Sequence, residues 1–147
     1  MNRIYKEIQV GYFILFLFVT IEAYCFYNIQ INDRGIDTAP LVVFALILLS
    51  LLIFLIMRTT VTDKGILIRL GFGLISKKID ATKILSAQIV QPKWYHGIGI
   101  HFVGRGSMLI NANFTKAVEV KMINGSSVWI GTAHPEKLLQ AIQSILR

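Results

Sequence analysis

Cysteine is almost absent from these 147 residues, and Cys25 stands alone. A single thiol excludes an intrachain disulfide and any cysteine-based metal site, and it leaves the redox compartment open. Proline is scarce, with three residues, and acids are few, eight against fifteen lysines and arginines. Charged residues make up 16 % of the chain and apolar ones 54 %. Average globular proteins hold roughly 25 % and 45–50 %, so the shortage of charge leans toward a membrane. The shortage is also uneven. Residues 1–57 carry Arg3, Lys6 and Arg34 against four acids, whereas residues 58–147 carry twelve basic residues and four acids, a net +8.

Groupings that carry catalysis are missing as well. Acid–base chemistry needs two carboxyl groups brought together. The later region offers Asp63, Asp80, Glu119 and Glu136, each explicable as a turn, surface or cap residue. His96, His101 and His134 have no metal-ligand spacing. No serine sits in a nucleophile elbow, and Gly104-x-Gly106 reads as a turn rather than a phosphate loop. The expectation is therefore no enzyme, no catalytic residue, no metal and no cofactor. The basic residues do not run along a helix, which argues against a nucleic-acid partner.

What is abundant is long apolar sequence. Pro40 to Met57 is eighteen residues with only Ser50 polar, about 27 Å of helix against a hydrocarbon core of roughly 30 Å. Ile8 to Ile29 is a second run, interrupted by Thr20, Glu22 and Asn28. No small-residue cleavage site follows it, and Tyr24 and Glu22 before Cys25 do not suit lipoprotein processing. Both runs therefore predict uncleaved transmembrane helices, about 8–29 and 40–57, joined by the polar stretch Gln30 to Ala39. Glu22 is the intramembrane polar residue, either a partner-facing or proton-carrying group or an acid near the far interface. Arg3, Lys6, Arg58, Lys64 and Arg69 flank one side and Arg34 alone the other, so the positive-inside rule places both termini in the cytoplasm.

From Thr59 the periodicity becomes two. Val61, Ile66, Ile68 and Leu70 share one face, and further strand-like runs follow to Ile130, separated by glycine turns. The last hairpin can be decided by register. A two-residue Asn124-Gly125 turn would oppose Lys121 to Val128, whereas a three-residue loop, Ile123 to Gly125, opposes Val120 to Val128 and Val118 to Ile130. A one-residue slip turns every side chain to the other face, so the apolar pairing selects the longer turn and sends Trp129 outward beside Glu119. Pro135 then opens a helix capped by His134 or Thr132, with Leu138, Ala141, Ile142 and Ile145 as its apolar stripe.

This order, with Thr60-Val61-Thr62-Asp63-Lys64-Gly65-Ile66, then Gly97-Ile98-Gly99-Ile100, then Ile130-Gly131-Thr132 and Pro135-Glu136-Lys137-Leu138, resembles bacterial pleckstrin-homology (PH)-like membrane proteins over residues 59–147. The resemblance implies an α+β membrane protein. Residues 1–58 would be an anchor of two transmembrane helices, and 59–147 a cytosolic PH-like antiparallel barrel or sandwich of about seven strands with a C-terminal helix. The location would be the bacterial inner membrane, multi-pass. The implied function is a non-catalytic binding or assembly module, with membrane lipids and an unknown protein partner or a second copy as partners. The alternative is an anionic-lipid headgroup sensor using the basic cluster Lys64, Arg69, Lys77, Lys78 and Lys83. Trp94, Tyr95 and Trp129 are the candidate partner or membrane-surface contacts, the first two in a loop that could equally fold back on the core.

Overall fold

Residues 3–7, expected to belong to a short polar lead into a helix, lie in a strand. The computed structural model describes residues 3–31, 38–93, 96–104 and 106–146, with backbone alone at 28–31 and 38–41. Strand β1 (Arg3–Val10) pairs antiparallel with β2 (Ile56–Thr62), Val10 opposite Ile56 and Glu7 opposite Thr59. Its alternation is inverted. Glu7 and Gln9 are buried, while Ile8 on the other face is 52 % exposed. Ile8 and Val10 thus merge in sequence with the apolar run that follows, which hides the strand.

Between the paired ends of β1 and β2 stand two helices, α1 (Tyr12–Ile31) and α2 (Thr38–Phe54). They are an insertion in a β-ladder, not a leader ahead of a separate domain. The boundary expected at residues 58 and 59 falls inside β2, because Ile56 and Met57 already belong to it.

Among the described residues no helix is long and apolar enough to cross a membrane. Helix α2 has 17 residues, a rise of about 26 Å. Helix α1 starts four residues later than expected, and Thr20 and Glu22 interrupt it before Asn28 and Gln30. This corrects the expected pair of transmembrane spans, the multi-pass inner-membrane placement with cytoplasmic termini, and the description as a membrane-spanning protein. The physical reason is that five of the residues assigned to spans, Ile8, Gln9, Val10, Ile56 and Met57, are used by strands.

The first sheet continues with β3 (Gly65–Leu70) and β4 (Ile75–Asp80) in the order β1-β2-β3-β4. Its inner face presents Met57, Val61, Ile66, Ile68, Leu70 and Ile79, all buried. The second sheet contains β5 (Ile84–Val90), β6 (Gly99–Phe102), β7 (Ser107–Asn111), β8 (Ala117–Met122) and β9 (Ser127–Gly131), in the order β5-β8-β9-β7-β6. Among the described residues nine strands in two sheets, β1 among them, take the place of the antiparallel barrel or sandwich of about seven strands expected over 59–147.

Strands β7 and β9 run parallel. The chain leaving β7 must therefore cross the end of β9 to reach β8 before turning back between them. The β8–β9 hairpin has the register of the three-residue loop, Val120 opposite Val128 and Val118 opposite Ile130, with Gly125 at φ 83°. Helix α3 (Pro135–Gln143) lays Leu138, Ala141 and Ile142 into the core against β5, β8 and β1. The architecture is α+β, in a topology other than the expected one.

Candidate binding surface

Over residues 12–27 and 42–54 the hairpin α1–α2 carries apolar side chains on every side rather than along one stripe, with Thr20, Glu22 and Ser50 as scattered exceptions. Tyr12, Phe13, Leu15, Phe16 and Leu17 are all exposed, as are Val42, Val43, Leu46 and Leu49. The helices touch through Phe18 and Phe44, with ring centroids 6.3 Å apart. Two polar side chains on them are satisfied within their own helices: Thr20 Oγ1 donates to the Phe16 carbonyl at 2.9 Å and Ser50 Oγ to that of Leu46 at 3.0 Å. Glu22 lies on α1 of this hairpin.

The hairpin root is held from several sides. The Gly11 N–H donates to the Leu55 carbonyl at 2.7 Å, which extends the β1–β2 pairing by one step. Asn113 Nδ2 donates to the Val10 carbonyl at 2.8 Å, and Phe114, one residue on, meets Phe13 edge-to-face at 5.2 Å. On the α2 side, the Gly71 N–H donates to the Ile56 carbonyl at 2.6 Å. A Cβ at Gly71 would stand 2.5 Å from the Leu52 carbonyl oxygen, so only glycine lets this turn sit against the last turn of α2. The same turn leaves Phe72 74 % and Leu74 68 % exposed.

Asn111 organises the crossing segment that carries Asn113 and Phe114. Its Oδ1 accepts from the Asn113 N–H and from Thr115 Oγ1, each at 3.2 Å. A shallow cavity of about 210 Å³ lies beside this segment, lined in part by Lys93, Gly97, Asn111 and Phe114.

Glu7 fastens β1 to the β9–α3 junction. One carboxyl oxygen accepts from Thr132 Oγ1 at 2.6 Å and Tyr5 OH at 2.7 Å, the other from the Ala133 N–H at 2.9 Å. Gln9 Nε2 donates to the Gly131 carbonyl at 2.8 Å. Thr132 Oγ1 also accepts from the His134 N–H at 3.0 Å, so Thr132 serves the helix entry, and His134 makes no side-chain cap. Burial, and then the bond to Glu7, push the Tyr5 phenol up to about 12. Because the folded value is raised, this stabilisation is complete below the unfolded value of about 10 and is lost as pH rises toward 12. Alkaline titration followed by circular dichroism is expected to show that loss, and Tyr5→Phe to flatten it; an unchanged profile would refute the assignment.

The residues singled out in the sequence are dispersed. Lys78 and Lys83 both reach Asp80, at 3.0 and 3.7 Å, and hold its carboxyl below the usual range. Lys64 lies in the β2–β3 turn. Lys77 pairs with buried Ile68 and Lys78 with Leu67, so these two lysines point to opposite faces. Arg69 pairs directly with Arg58. Trp129 stands outside the core beside Glu119, half-buried, with the His96 ring 6.3 Å away. Burial acts to raise the Glu119 carboxyl, but the hydrogen bond from Gln88 Nε2 at 2.6 Å and the polar side chains around it outweigh that effect and leave the group below its ordinary value. Trp94 and Tyr95 lie outside the described residues.

No family model, curated protein or solved structure matches this chain. The resemblance to PH-like proteins thus rests on the quoted motifs alone, and the geometry has to carry the functional argument. Sequence reasoning missed Glu7, Gln9, Gly71 and Asn111, which hold the hairpin to the body. The available signal for Glu7 and Gln9 was the short alternation Glu7-Ile8-Gln9-Val10, with its polar and apolar faces exchanged and Lys6 breaking it upstream. Among the described residues no group of three histidine, cysteine or acidic side chains could hold a metal.

Proposed function

We propose that the protein is a non-catalytic binding and assembly module whose two-sheet body holds an apolar helical hairpin out toward a partner. The supporting observation is the mounting of that hairpin. Two helices with exposed apolar side chains rise from adjacent, paired strands, and bonds from Gly11, Gly71 and Asn113 fix the root. Exposed apolar surface of this extent marks a contact site. Recognition of one anionic headgroup by Lys64, Arg69, Lys77, Lys78 and Lys83 has less support, because the first sheet divides those residues and Asp80 engages two of them.

The test replaces residues 11–55 by a tight two-residue turn, which the pairing of Val10 with Ile56 accommodates. The full chain is expected to associate, with itself or with an apolar carrier, in sedimentation and crosslinking. The variant is expected to melt cooperatively and sediment as a monomer. A folded variant that keeps the full chain's association overturns the reading.

A further inference from the structure

Apart from Thr20, Glu22 and Ser50, the side chains described on the hairpin helices are apolar on both faces, and this decides what can cover them. A second copy packing as a helical bundle would cover one stripe per helix and leave the rest in water. A lipid layer covers every side at once. The hairpin root carries the side chains that suit such a layer's surface. Tyr12 is exposed at the start of α1, Phe114 packs beside it on Phe13, and Phe72 and Leu74 project from the turn seated on α2.

The charge pattern beside the root points the same way. Arg58 lies two residues into β2, about 7 Å from its start. Its cross-strand partner is Arg69. Both side chains are exposed, and no carboxylate among the described residues pairs with either. Like charges placed directly opposite destabilise a sheet. An anion laid against the pair removes that cost, and arginine stems are long enough to reach toward the root.

We infer that the collar formed by Tyr12, Phe72, Leu74, Phe114, Arg58 and Arg69 seats the protein on an anionic lipid surface, with the hairpin entering the acyl layer from that side without crossing it. This inference rests on the binding-module reading and names its partner. Arg58 and Arg69 meet lipid phosphates, while the four apolar side chains occupy the boundary between headgroups and acyl chains.

The experiment dilutes the full chain from detergent into vesicles of phosphatidylcholine alone, or of phosphatidylcholine doped with phosphatidylglycerol, and measures flotation. The full chain is expected to float with both and to bind the anionic vesicles more tightly. Arg58→Gln with Arg69→Gln is expected to lower binding to anionic vesicles about twenty-fivefold, roughly fivefold per charge, and to leave binding to neutral vesicles unchanged. Phe72→Ser with Leu74→Ser is expected to lower both by tenfold or more. All four positions are exposed, and near-native circular dichroism confirms that the variants fold. Flotation that ignores all four substitutions overturns the collar. A full chain that does not float but forms a discrete oligomer, dispersed by the Phe72 and Leu74 changes, overturns the lipid partner and leaves the binding-module reading standing. A full chain that neither floats nor associates overturns both.

Discussion

Glu7→Ala is expected to cost about 3–5 kcal/mol of folding stability, a large share of the roughly 5–15 kcal/mol typical of a domain. Glu7 is 8 % exposed and accepts hydrogen bonds from Tyr5, Thr132 and the Ala133 N–H. Removing the acceptor strands donors from three places in the chain. A buried donor left unmade costs about 1–3 kcal/mol, and half-buried Tyr5 contributes least because water reaches it. The effect should also be directional. Thr132 and Ala133 precede α3, so detachment of β1 frees the helix that closes the core. Glu7→Gln keeps one acceptor oxygen and should fall between the wild type and the alanine variant. Chemical denaturation checks the order. An alanine variant within 0.5 kcal/mol of wild type would remove Glu7 from the account of how β1 is held.

Gly131→Ala is expected to cost about 2–4 kcal/mol although its backbone conformation suits any residue. The reason is space. A Cβ there would collide with Oδ1 of Asn111, which is 2 % exposed and already bonded to Asn113 and Thr115. Displacing that amide loosens the segment that crosses the end of β9 and carries Asn113 to the Val10 carbonyl. The double variant Gly131→Ala, Asn111→Ala is expected to be more stable than the sum of its single changes predicts, because the second substitution removes the colliding group. Strict additivity would show that the two residues do not interact.

The β8–β9 hairpin is legible in the sequence. Val118, Val120, Val128 and Ile130 can share an inner face in only one of the two registers considered, and that register is the one formed. The stripe Leu138, Ala141, Ile142 likewise announced a helix that had to be covered. Strand β1 was not legible, because its buried positions are Glu7 and Gln9 and its exposed ones include Ile4 and Ile8. Burial of those polar side chains is favourable only with partners such as Thr132, Ala133 and Gly131, more than 120 residues away in the chain. The parallel pairing of β7 with β9 was hidden for a related reason. Alternation reports which face is buried, not which neighbour lies alongside.

The sequence by itself determined the local periods, the scarcity of acids, the apolar character of the two helices and the turn that aligns the last hairpin. Each follows from side chains close together along the chain. Only the tertiary structure decided that the helices are an insertion between two paired strands, that Arg58 and Arg69 stand side by side, and that Lys77 and Lys78 part to opposite faces. Those facts depend on which strands become neighbours, and that choice is set by long-range hydrogen bonds and by the space that glycines such as Gly71 and Gly131 leave free.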